Sequence, residues 1–150
     1  MPGYHFDMFE RAGIALRADA VVYGIRSGSL PFSAAGDFEE WMMENRGVAG
    51  SPKIFAADGR EEALSALDLA GYEDLGGGRD ALRYAALASL GSAGDELLSD
   101  IEGVYADFDY PEDMDSLVYY MPSGNGDVSP EKLIERFRAF LAEEKERLDL

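Results

Sequence analysis

Five carboxylates, Asp107, Asp109, Glu112, Asp113 and Asp115, fall within nine residues of one another. Two such groups at a fixed separation can divide acid and base roles in hydrolysis, and several together supply the hard oxygens that calcium prefers. Neither pattern is complete. The helix-loop-helix calcium loop wants glycine at its sixth place and glutamate at its twelfth. Counted from Asp107, those places hold Glu112 and Val118. Asn125-Gly126-Asp127 is a turn signature before it is a ligand set. With 30 acidic residues in the chain, neighbouring carboxylates also arise by chance. Other reactive groups are sparse. There is no cysteine, which excludes disulfides, thiol catalysis and thiolate zinc sites. The single histidine, His5, would have to serve any Ser-His-Asp arrangement, and its place on the apolar stripe of a first helix suits packing or plain exposure instead. Gly76-Gly77-Gly78 lacks the GxxxxGK[ST] pattern of a phosphate loop and follows no strand, so it reads as a flexible joint. No catalytic residue, metal site or cofactor is expected, and a calcium-responsive or carboxylate-based metalloprotein stands as the chemical alternative.

The carboxylates make a stronger case as a surface. Between Tyr84 and Glu131 the chain carries eleven acidic residues and no Lys, Arg or His, so most of the formal charge of −17 sits in one third of the sequence. Such a field repels nucleic acid and anionic lipid and attracts a basic protein. Tyr105, Phe108, Tyr110, Met114, Tyr119, Tyr120 and Met121 are interleaved with the acids. Tyr105 and Phe108 follow Ile101 at helical spacing and belong to a core. Some of Tyr110, Tyr119 and Tyr120 must then face outward, where tyrosine offers a large contact area at low entropy cost.

The elements that position these residues read as helical. An apolar fraction of 47% over 150 residues is ample for one core, so residues 1–150 are expected to form a single compact all-α domain of about seven or eight short helices. Tyr4 to Ala12 ends naturally at Gly13, and Asp19 is placed to cap a helix closed by Gly28. Ser33 to Asn45 buries Ala34, Phe38, Trp41 and Met42 and leaves Asp37, Glu39, Glu40 and Glu44 wet. Gly47 to Gly59 has no clear assignment, with Lys53 to Ala56 a weak strand candidate. The helical pattern resumes at Arg60 up to Gly71 and again over Asp80 to Leu90. Ser92 and Asp95 have the form of a capping box for the helix carrying Leu97, Leu98, Ile101 and Val104. Pro111 stops that helix and opens a short one lined by Met114, Leu117, Val118 and Met121, ended by Pro122. Ser129-Pro130 is a strong start for the last helix. That helix buries Leu133, Ile134, Phe137, Phe140 and Leu141, with Glu135 and Arg138, and Glu143 and Arg147, spaced to pair on its outer face. No basic-then-apolar leader opens the chain and no window reaches the roughly 18 uninterrupted apolar residues of a membrane span. The expected location is cytoplasmic.

The run Val104-Tyr105-Ala106-Asp107-Phe108-Asp109-Tyr110-Pro111-Glu112-Asp113-Met114, followed by Val118-Tyr119-Tyr120-Met121-Pro122, resembles the signature of a bacterial family, domain of unknown function 2247. Phe9 to Gly24, with Ala12-Gly13 and Tyr23-Gly24, is similar to the family's opening, and Ser129 to Leu141 fits its last helix. The resemblance implies no enzymatic activity. It implies immunity proteins of polymorphic toxin systems, small cytosolic proteins that bind and neutralise a cognate toxin domain. Basic nucleases are common among such toxins, and an acidic inhibitor would lie along the path of the nucleic acid backbone. The expectation is therefore a non-enzymatic binding protein with a basic partner, no nucleic acid and no membrane. Its contact surface would include Asp107, Asp109, Tyr110, Glu112, Asp113, Asp115, Tyr119 and Tyr120, the acids steering and the tyrosines anchoring. An adaptor domain is the remaining alternative. The Asp109 carboxylate has an architectural alternative of its own, as a cap for the helix that Pro111 begins.

Overall fold

The structure is a computed structural model that describes residues 4–13, 17–118 and 128–150. Among the described residues the chain forms eight α-helices and one 3-10 helix, with no strand. The helices are α1 (Met8–Ala12), α2 (Ala18–Ser27), α3 (Ala34–Arg46), α4 (Pro52–Ala56), α5 (Arg60–Leu69), α6 (Gly78–Ala88), α7 (Gly94–Asp107) and α8 (Pro130–Arg147), with the 3-10 helix over Glu112–Leu117 between the last two. The all-α expectation holds.

Helix α6 is the centre. Ala81, Leu82, Tyr84, Ala85, Ala86 and Leu87 are all buried, and a helix apolar on every side has to be surrounded. Helices α1, α2, α7 and α8 pack against it. Helix α2 then carries α3 and α5, and α4 bridges those two. The 3-10 helix rests on α7 and α8. Two tiers result, α3 to α5 gathered on α2 and the acidic part of the chain gathered on α6.

The tightest approach is where α6 starts against α2. A methyl group at Gly78 would stand 2.2 Å from the Asp19 carbonyl oxygen and 2.8 Å from Cβ of Tyr23. The glycine run is therefore a packed crossing, not a loose joint. Asp74 ties it down: Oδ1 accepts the amide N–H of Gly76 at 3.0 Å and of Gly78 at 2.9 Å, and the other oxygen takes the Arg26 guanidinium. Burial opposes ionisation of Asp74, but these donors outweigh it and hold the carboxyl below its usual range.

Several local expectations change. Lys53 to Ala56 is helix α4, opened by Ser51-Pro52, the same hydroxyl-then-proline signal that opens α8. Ser92 does not cap α7; its hydroxyl donates to Asp100 at 2.5 Å and Ala93 precedes the helix. Asp19 lies inside the first turn of α2, paired with Arg17, and the Ser129 cap is as expected, accepting from the Lys132 N–H at 3.2 Å. Pro111 stands just before the 3-10 helix with extended geometry, and no side chain caps that helix, Asp109 included. Met121 and Pro122 lie outside the described residues. Glu39, expected on the wet face of α3, is 2% exposed and accepts the Tyr72 hydroxyl at 3.0 Å.

Two predictions follow from this packing. Gly78→Ala lowers stability by about 1–3 kcal/mol because backbone must move, whereas Gly103→Ala, in mid-helix with no described atom outside its own helix backbone within 4 Å of the new methyl, raises it by about 0.5–1 kcal/mol. Urea unfolding checks both signs. The second concerns Tyr72, whose hydroxyl is pushed from 10.0 up to about 12 by burial and then by Glu39. Its contribution is complete below pH 10 and is lost as pH rises to about 12. Tyr72→Phe therefore flattens the fall of stability across that window, measured as urea midpoint against pH.

Candidate functional site: an acidic corner held by buried arginine

The corner where α7 gives way to the 3-10 helix is built from hydrogen bonds that only a left-handed backbone allows. The Asp109 N–H donates to the Ala106 carbonyl at 3.1 Å and the Tyr110 N–H to the Tyr105 carbonyl at 2.9 Å. This is the Schellman closure of a helix end. Asp109 stands in the place usually given to glycine, with φ of 61°, and Tyr110 follows at 54°. Aspartate tolerates that region and tyrosine does so at a cost of about 1–2 kcal/mol. Pro111 contributes by disfavouring the right-handed helical alternative for Tyr110. Tyr110 is 56% exposed, and its ring meets the buried Tyr105 ring edge-on, centroids 5.3 Å apart.

Four side chains pin this corner from outside. Arg79 of α6 donates to the Phe108 carbonyl. The Tyr4 hydroxyl donates to Asp107 at 2.9 Å, and Tyr105 donates to Asp115 at 2.8 Å. Burial first, and Asp107 second, push the Tyr4 phenol well up. One turn along α6 from Arg79, Arg83 grips Asp113 with two bonds of 2.8 Å.

Arg83 is the buried member of a charge network. Its side chain is 3% exposed, and besides Asp113 it reaches Glu144 of α8 at 3.0 Å and stands 3.9 Å from Asp80. Arg147 closes the circuit, bonding Glu144 at 2.6 Å and Asp80 at 3.0 Å. The Arg83 guanidinium also lies 5.3 Å from the Phe140 ring centroid, while its Nε is buried with no hydrogen-bond partner among the described residues. Burial opposes the charge of Arg83, yet the carboxylates raise its pKa. The expected partner of Arg147, Glu143, is thus replaced by Glu144 and Asp80, groups brought up by packing.

These contacts sort the expected surface residues. Asp107, Asp113 and Asp115 are drawn into architecture, although Asp107 is exposed and the Asp113 side chain is 50% exposed. Asp109, Tyr110 and Glu112 are exposed, and no ion pair or side-chain hydrogen bond engages Asp109 or Glu112 among the described residues. Tyr119 and Tyr120 lie outside the described residues. Among the described residues no three acidic or histidine side chains converge as metal ligands; the carboxylates diverge toward Tyr4, Arg83 and Tyr105. No helix is long and apolar enough to cross a membrane among the described residues.

A family model, described as an uncharacterized protein conserved in bacteria, domain of unknown function 2247, matches residues 6–145. The chain belongs to this family. No curated protein and no solved structure matches it. The family match spans α1 to α7, the 3-10 helix and nearly all of α8, so the corner and Arg83 with Asp80, Asp113 and Glu144 fall within it, while Tyr4 and Arg147 lie just outside. The Tyr-Ala-Asp-Phe-Asp-Tyr-Pro run that carries the resemblance is the corner itself. Sequence reasoning missed Arg79, Arg83 and Glu144. A signal for Arg83 was present: an arginine inside an otherwise apolar helix must be buried, and a buried guanidinium needs carboxylates.

The network generates a prediction. Arg83→Met leaves Asp113 without its cation and the buried Glu144 with Arg147 alone, and costs about 1–3 kcal/mol. Adding Glu144→Leu to Arg83→Met recovers a large part, since removing the second charge lifts the desolvation penalty. Urea denaturation of the two variants checks the order.

Proposed function

We propose that this family member is a non-enzymatic cytosolic binding protein of the immunity type, which captures a basic toxin domain at the corner around Tyr110. The observation that carries the reading is Tyr110 itself. A tyrosine 56% exposed, on a pinned turn and flanked by Asp109 and Glu112, which have no side-chain partner among the described residues, has the character of an interface anchor among steering charges. A rigid turn loses little entropy on binding, so the exposed ring gives up less than a mobile one would. The net charge of −17 accelerates encounter with a basic target and disfavours nucleic acid as a ligand. The immunity role is what the family resemblance implies, and a toxin domain is the partner class whose chemistry agrees with this surface.

The test uses a purified basic toxin domain encoded beside the gene. Asp109→Lys with Glu112→Lys lowers the association rate by about tenfold or more at low salt and weakens its salt dependence. Tyr110→Ala acts on dissociation instead, at a cost of about 2 kcal/mol or more. Both are read by stopped-flow or surface-capture kinetics, with circular dichroism as a control on folding. Wild-type kinetics in both variants would remove the corner from the interface.

A further inference from the structure

The turn that leads into α6 holds an apolar side chain out on a rigid base. Leu75 is 90% exposed. A leucine on a loose loop would carry no meaning, but the backbone here is tied on both sides. Asp74 accepts the N–H groups of Gly76 and Gly78 at 3.0 and 2.9 Å and binds the Arg26 guanidinium. Just before it, the Tyr72 N–H closes the end of α5 on the Leu67 carbonyl at 3.0 Å. Glu73 and Leu75 form a ridge between two grooves, and both residues line both grooves. One groove, of about 430 Å³, runs along Arg17, Ala18 and Asp19 at the start of α2. The other, of about 350 Å³, has Val22 and Leu64 as apolar lining and the exposed Asp68 beside them.

This ridge and the Tyr110 corner stand at the same end of the molecule. Leu75 is four residues from Arg79, a chain span of at most about 14 Å, and Arg79 donates to the Phe108 carbonyl, two residues before Tyr110. An interface of standard size, about 800 Å² on each partner, is wide enough to cover both. Charge says what covers them. Arg17, Arg26, Arg79 and Arg147, which reach this end, are each bonded to a group within the chain. Asp68, Glu73, Asp109 and Glu112 are exposed and have no side-chain partner among the described residues. The end of α8 adds Lys145, outnumbered by Glu146 and Asp149. The charge left over at this end is therefore negative, with Leu75 and Tyr110 set in it. We infer that the partner taken at the corner extends across the start of α6, seating Leu75 in an apolar hollow of its own and placing lysine or arginine side chains in the grooves beside the ridge. Their aliphatic stems lie along Val22 and Leu64 and their charged heads reach Asp68 and Glu73. This surface includes the corner of the proposed function and rests on that reading, to which it adds a second anchor.

Binding kinetics with the purified basic toxin domain encoded beside the gene test this. Leu75→Ser, at a position with little packing to lose, weakens the complex by about tenfold through faster dissociation. Asp68→Lys with Glu73→Lys slows association by about tenfold at low salt. Asp95→Lys with Glu96→Lys makes the same change in net charge at the start of α7, about 20 Å from the corner, and slows association by no more than about twofold. Circular dichroism and urea midpoints control for folding. Wild-type kinetics in Leu75→Ser and in the Asp68, Glu73 variant, while Tyr110→Ala weakens the complex, overturn the inference and leave the corner as the interface. Equal slowing by the two charge reversals also overturns it, since net charge alone would then account for the effect. Loss of binding in the ridge variants with none in the corner variants overturns the shared surface together with the corner. A toxin domain that does not bind the wild-type chain overturns both.

Discussion

A guanidinium buried in the middle of α6 sets the terms for half of this molecule. Arg83 cannot be removed from water without carboxylates to meet it, and those it has come from three places: Asp80 on its own helix, Asp113 on the 3-10 helix and Glu144 on α8. Apolar packing alone could let the 3-10 helix slide on α7 and α8, since dispersion is not directional. Two parallel bonds from one planar cation to one carboxylate are directional. They fix where the acidic segment lies. Arg147 keeps the arrangement from being a single fragile pair by holding both Glu144 and Asp80.

From that anchor the acidic segment divides in two. One set of acids answers donors inside the protein: Asp107 to Tyr4, Asp113 to Arg83, Asp115 to Tyr105. The other set, Asp109 and Glu112, is left to the solvent beside an exposed tyrosine. The division is physically coherent, because the first set holds still the turn that displays the second. A left-handed tyrosine is costly, and here the cost is offset by a closed helix end, an edge-on ring contact and an arginine on the Phe108 carbonyl. The same closure recurs at the end of α5, where Gly71 and Tyr72 make the equivalent bonds and Tyr72 turns inward to Glu39. The same hydrogen-bond pattern thus sends one tyrosine toward a buried carboxylate and leaves the other, whose own φ is left-handed, largely in water.

Legibility followed the range of the forces involved. The long periodic segments, α3, α5, α7 and α8, could be read within a residue or two because a helix's apolar stripe is a local property. The glycine ends after α1 and α2 and the Ser129 cap were legible for the same reason. Helix α4 was missed because five residues are too few to establish a period, although Ser51-Pro52 announced it. Ser92 was misassigned because a capping hydroxyl and a hydroxyl bonded to Asp100 look alike in sequence. Glu39 was placed in water on its helical phase, which cannot foresee a tyrosine arriving from the end of α5.

The sequence by itself determined an all-helical chain, a lopsided negative charge and the absence of thiol chemistry, because composition and short-range spacing carry that information. It also put a helix break at Pro111 and required some of Tyr110, Tyr119 and Tyr120 to face outward; that Tyr110 is one of them came from the structure. Only the tertiary structure decided which acids are free and which are spoken for. That depends on Arg83 and Glu144, 61 residues apart, meeting across the core, and a contact made by helices folding together leaves no periodic trace in either of them.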